Sequence, residues 1–190
     1  SLALDANTTA DNNTAIGHKS LSATTTGSNN TAVGFEALEA NTTGTHNIAI
    51  GFRSLEAHST GTKNVAVGSY SLDANNADSN TAIGYESLGA NTTGTRNTAV
   101  GAYALDANTT ADNNVAIGDQ ALTENTTGTK NTSVGTFSLD ANTTADENTA
   151  IGYNALTANT TGTLNTAVGS NALSANTTAN RNSAFGRASL

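Results

Sequence analysis

The chain reads as an all-β fold, a parallel β-solenoid of about eleven 17-residue coils, on three observations. The motif N-x-[AS]-[IVF]-G occurs eleven times. Its glycines, from Gly17, Gly34 and Gly51 through to Gly186, follow one another at steps of 17 residues, with one step of 16 between Gly68 and Gly84. Such a step can carry short strands and turns but not an amphipathic helix and its return. Coils begin near Asn13, Asn30, Asn47, Asn64, Asn80, Asn97, Asn114, Asn131, Asn148, Asn165 and Asn182, so residues 1–190 form a single repeat array.

Each column of equivalent residues then has a place. The opening Asn has no exception, and neither does the Leu four residues after the glycine (Leu21, Leu38, Leu55). Stacked coils bring identical residues to about 4.8 Å from one another. Asn13, Asn30 and Asn47 are therefore expected to start a ladder of amides along the rod. Gly17, Gly34 and Gly51 start a second structural column. In the strand T-A-[IV]-G, Ile16, Val33 and Ile50 are expected to face inward. The Thr14 column, which becomes Ile48 and Val65 in other coils, should join them. Ala15 would then point outward. The strict alternation of Ile and Val reads as large and small residues filling a narrow core in turn. Leu21 and Ala23 form a second apolar pair, and N-T-T-[GA] is turn chemistry. A short helical turn at residues 36–40 is the alternative to a coil made only of strands and turns.

Composition sets limits. There is no Trp, Met, Cys or Pro, and aromatics make up 4% of the 190 residues, which argues against an ordinary globular core. A disordered chain can be equally poor in large apolar residues, but it would not hold its columns in register. A net charge of −8 argues against a nucleic-acid partner. No apolar run approaches the roughly 20 residues of a membrane span, so any membrane link is expected through segments outside the array. The chain starts and ends within a repeat, as expected for a segment of a longer fibre.

The N-x-A-[IV]-G-x-x-[AS] core resembles the head repeats of YadA-type trimeric autotransporter adhesins, and related repeats of phage and bacterial tail fibres. The resemblance covers nearly the whole chain. It implies a left-handed β-roll, three chains about one axis, and attachment to a host or environmental surface protein or glycan. The repeat here is 17 residues; the family's is about 14, which leaves the outer loop and its ligand open. The expected function is that of a non-enzymatic extracellular fibre segment, on a cell surface or virion, for adhesion or as a spacer. The alternatives are a glycosylated secreted structural fibre and an ice-binding solenoid. Independently of the resemblance, a small outward Ala column suggests close approach of a neighbouring subunit, in line with the homotrimer the resemblance implies; the alternative is a flat, solvated Ala/Gly face on a monomeric rod.

Candidate chemistry is sparse. His18, His46 and His58 lie in three different columns, so no catalytic set, cofactor or metal site is expected. The repeated D-A-N-x-x-A-D places Asp106, Asn108 and Asp112 near one another, as calcium ligands could be. The preferred reading is a charge ladder, with Lys63, Arg96 and Lys130 neutralising Asp78, Asp112 and Asp146 between coils. Phe35, Phe52, Tyr70, Tyr85, Tyr103, Phe137 and Tyr153 form an aromatic ribbon for ligand or subunit contact. N-T-T matches the glycosylation sequon at Asn7, Asn41, Asn91, Asn108, Asn125, Asn142, Asn159 and Asn176. The T-G-T triplets resemble ice-binding rows, but charged A-D coils interrupt them.

Overall fold

The computed structural model describes residues 2–190. Every motif forms one three-residue strand: β1 (Thr14–Ile16), β2 (Thr31–Val33), β3 (Ile48–Ile50), β4 (Val65–Val67), β5 (Thr81–Ile83), β6 (Thr98–Val100), β7 (Val115–Ile117), β8 (Thr132–Val134), β9 (Thr149–Ile151), β10 (Thr166–Val168) and β11 (Ser183–Phe185). They pair in chain order as one parallel sheet of eleven strands. The register is the repeat itself: Thr14 lies against Thr31, Ala15 against Ala32 and Ile16 against Val33. Coils are numbered after their strands. The fold is a β-solenoid, as the period implied, and the described residues contain no helix. Residues 36–40 form a turn, held open by left-handed backbone at Glu36 (φ 55°) and Leu38 (φ 51°).

The strand faces are the reverse of those expected. The central Ala is completely buried in most coils, whereas Ile50, Ile83, Ile117 and Ile151 are about 40% exposed and Ile16 is 60% exposed. Interior volume explains the inversion. Each coil already encloses an invariant Leu, fully buried from Leu21 to Leu156, and packs it against the strand alanine. The Ala or Ser before the Leu, such as Ala37 or Ser54, is buried beside it. A cross-section of 17 residues leaves room on the strand side for a methyl group only, so the larger Ile and Val must point out. Their alternation is therefore a surface pattern. Ala23 and its equivalents also lie nearer the surface than expected, with Ala57 exposed.

Small residues are demanded by contact between coils. A side chain on Gly51, itself at φ 141°, would place its Cβ 2.5 Å from the carbonyl oxygen of Gly68, too close for any residue but glycine. The Ser variants before Leu are satisfied locally: Ser71 Oγ donates to Gly68 O at 2.9 Å. Ser133 replaces the buried strand Ala once, and its hydroxyl donates to Ser138 O at 2.7 Å. The Leu column itself sits at φ 47–56°, a region uncommon for such residues. Bonds to the next coil offset that cost, for example Leu38 N–H to Ser54 O at 3.0 Å.

Candidate functional site

Two buried amide ladders run along the rod, the second interrupted at Thr24 and His58. In the first, the backbone N–H of Asn30 donates to Asn13 Oδ1 at 2.8 Å, and Asn30 Nδ2 donates to Gly44 O at 2.8 Å. Asn47 repeats the pattern one coil on. A short amide offers, without charge and from two separate atoms, an acceptor toward the next coil and a donor across its own, which fits the invariance. The second ladder is made by the N-T-T asparagines. Asn108 Nδ2 donates to Asn91 Oδ1 at 2.8 Å, and Asn125 to Asn108 at 3.1 Å.

This second ladder corrects the glycosylation reading. Asn41, Asn91, Asn108, Asn125, Asn142 and Asn159 are fully buried with Nδ2 donated inside the coil. A sugar on that nitrogen is incompatible with the folded coil. Asn7 is exposed and Asn176 partly so, because they lie in the end coils. The turn composition serves packing.

One rung differs. His58 takes the Asn position and is fully buried, with Nδ1 2.9 Å from Asn75 O and Nε2 2.8 Å from Gly61 O. Asn41 Oδ1 on the coil before it is left without the donor an Asn would supply; it is the buried side-chain atom lacking a partner among the described residues. The coil that follows is the one shortened by a residue. Burial pushes the imidazole pKa down, opposed by the two carbonyls and by Asp78.

The acidic residues are not arranged as the sequence suggested. Asn108 turns inward and cannot join Asp106 and Asp112. Among the described residues, the one trio of possible metal-ligand atoms is Glu36, Glu39 and Glu56, within 4.8 Å of one another. Protein cations already bind it: Lys19 reaches Glu36 at 3.2 Å and Glu39 at 3.0 Å, and Arg53 reaches Glu36 at 2.9 Å. Burial pushes the Glu36 pKa up, but hydrogen bonds from Lys19 and Arg53 outweigh it and hold the carboxylate below its usual range. Next to this network a groove of about 530 Å³ runs over Ala23, Ala40 and Ala57, walled by Glu39, Glu56 and Asp73. Burial raises the pKa of Asp73, as it does for Asp106 and Asp140.

The expected Lys/Arg–Asp charge ladder is absent among the described residues. Asp112 Oδ1 accepts from Thr95 N–H at 2.6 Å and from its hydroxyl at 2.9 Å. Thr62 serves Asp78, and Thr129 serves Asp146, in the same way. Lys130 instead pairs with Glu147 at 3.1 Å. The alternation of G-T and A-D coils is thus a threonine-to-aspartate clasp. It commits hydroxyls that the ice-binding reading requires free.

The aromatic ribbon is a true ladder. His18, Phe35, Phe52, Tyr70, Tyr85 and Tyr103 contact one another in sequence at centroid distances of 5.3–6.2 Å. Phe137 and Tyr153 form a separate pair at 6.3 Å. Tyr70, Tyr103 and Phe137 come from one position later than the rest, in coils where Ser69, Ala102 and Thr136 are small. The first rungs stack at 10–12°, covering ring faces and leaving edges outward. The remaining contacts are edge-to-face, at 72–86°. The adjacent Glu86 carboxylate pushes the Tyr85 hydroxyl up to about 12.

No family model, curated protein or solved structure matches the chain.

Proposed function

We propose that this chain is a self-associating structural rod, a segment of an extracellular fibre used for adhesion or as a spacer, with three copies packed about one axis. The observation that carries the reading is the outward Ile/Val column. Flanked by the partly apolar Thr14 column and by the aromatic ladder, it forms one apolar strip on the sheet. Eleven strands at about 4.8 Å make a strip roughly 50 Å long. Five positions, from Thr14 to His18, at about 3.3 Å each make it about 15 Å wide, an area on the order of 700 Å². That exceeds the largest patch of a typical monomer, about 300–600 Å², and approaches the ~800 Å² per partner of a stable interface. A second copy fits as the occupant because the strip repeats with the coil along the whole rod, as an assembly of identical rods would need. The subunit contact first assigned to alanine passes to isoleucine. No helix among the described residues is long and apolar enough to cross a membrane.

Sedimentation velocity tests the proposal. Wild type should sediment as a trimer, and the triple variant Ile83→Ser, Ile117→Ser, Ile151→Ser as a monomer with an unchanged circular dichroism spectrum. A wild type that stays monomeric at tens of micromolar would overturn it. In that case the strip would be left for a foreign surface.

A further inference from the structure

Two charged columns run along the flanks of the apolar strip. Lys63, Arg96 and Lys130 stand two positions before strands β4, β6 and β8, and all three are exposed. Asp73, Asp106 and Asp140 follow the strip, directly after the buried Leu of coils 4, 6 and 8, and are half-buried. Tyr70 of the aromatic ladder lines one groove with Asp73 and Asp106, so the acidic column adjoins the ladder. Among the described residues, Lys63, Arg96 and the three aspartates form no salt bridge, and Lys130 meets only Glu147. Burial raises the pKa of each of these aspartates, as befits a carboxylate lacking a cation.

The two columns correspond coil by coil. Each aspartate lies ten positions after a basic residue: Lys63 before Asp73, Arg96 before Asp106, Lys130 before Asp140. His46 precedes Glu56 by the same step, and the coils between are neutral in both columns, Ser79 with Gly89 and Asn113 with Thr123. Where a charge does face a neutral counterpart, at Glu39 and Glu147, it is held within the chain by Lys19 and Lys130. Ten positions of a 17-residue coil set the members of a pair on opposite flanks of the strip. They differ in height by only about 2.8 Å, ten seventeenths of a coil spacing.

We infer that the basic flank of one chain docks on the acidic flank of the next, so that Lys63, Arg96 and Lys130 of one copy meet Asp73, Asp106 and Asp140 of its neighbour and hold the copies parallel and in register. This rests on the self-association proposed above and names what aligns it. Copies arranged about one axis with their strips inward bring opposite flanks together, whereas an antiparallel pair brings like flanks together and sets cation against cation. The alternation of charged and neutral coils fixes the height. A slip of one coil in one direction sets Lys63, Arg96 and Lys130 against Gly89, Thr123 and Thr157. In the other direction it keeps only Lys63 with Glu56, and brings Glu147 to Asp140.

Charge exchange read by sedimentation provides the test. Lys63→Asp with Arg96→Asp, and separately Asp73→Lys with Asp106→Lys, should each weaken association at least about tenfold. All four exchanges in one chain should bring it back to within about threefold of wild type. If a lysine variant loses its circular dichroism spectrum, Asp73→Asn with Asp106→Asn takes its place and should weaken association at least about threefold. Orientation is read by cross-linking, since the chain has no Cys of its own. With a short bis-maleimide, Arg96→Cys plus Asp106→Cys should yield covalent dimers and trimers. Arg96→Cys plus Thr123→Cys should do so more slowly, and Arg96→Cys alone should not. A trimeric wild type whose charge variants assemble equally well would overturn the inference and leave the apolar strip standing. A fourfold exchange that stays dissociated, or cross-linking by Arg96→Cys alone, would also overturn it. A monomeric wild type would remove both readings.

Discussion

Replacing Asn114 with Ala removes one rung of the first ladder from the middle of the rod. Asn114 Oδ1 accepts the backbone N–H of Asn131 at 2.9 Å, and Nδ2 donates to Gly128 O at 2.9 Å. Both partners are buried: Asn131 is 1% exposed, and Gly128 lies inside the coil. The variant strands one donor, the Asn131 N–H, away from water, while Gly128 O keeps the bond from Asn125 Nδ2 at 2.9 Å. At about 1–3 kcal/mol for the unsatisfied N–H and about 1 kcal/mol for the bond lost at Gly128 O, the cost is about 2–4 kcal/mol. For a chain of this size that lowers Tm by at least about 4 °C. Repeat arrays need not melt in one step, so hydrogen exchange of the Asn131 amide gives the local readout and should accelerate. Asn182→Ala is the control. Its side chain lies on the last coil and donates no hydrogen bond in the ladder, so its loss should change Tm by less than about 2 °C. If Asn114→Ala melts like Asn182→Ala and the Asn131 amide stays protected, the ladder is not what holds the coils together.

Two further outcomes follow from the corrected site. His58→Asn should raise Tm by restoring a donor to Asn41 Oδ1, a gain of about 1 kcal/mol. The depressed pKa of His58 means that the unfolded chain takes up the proton first. Its contribution is therefore complete above the ordinary value near 6.5 and is lost as pH falls through the lower folded value. The Tm difference between wild type and His58→Asn should widen between pH 7.5 and 5; a constant difference would refute the assignment. Because Asp112 is clasped by Thr95 rather than by a cation or metal, chelator should leave Tm unchanged. Thr95→Val, which removes the hydroxyl but not the N–H, should lower it slightly, by about 1 kcal/mol. A drop of several degrees with EDTA, reversed by calcium, would contradict the clasp.

By itself the sequence determined the period, the parallel in-register stack, and which residues share a column. Strict repetition leaves a chain few other ways to satisfy each backbone and side-chain group identically. The Asn ladder was legible for the same reason: an amide that tolerates no substitute in eleven coils has to bond to its own kind. The aromatic ladder was legible as a column but not as two stacks with a gap, because rings from adjacent positions converge only in three dimensions. Tertiary structure alone decided the faces. Alternation states that Ile16 and Ala15 point in opposite directions, but not which is inside, and hydrophobicity gives the wrong answer here. The interior of a 17-residue coil is filled by its Leu and by close backbone contact, so volume outweighs apolarity: the methyl of alanine goes in and isoleucine goes out. It likewise decided that the N-T-T asparagines are core and that threonine holds the aspartates, since a turn sequence does not specify which of its polar atoms the next coil will cover.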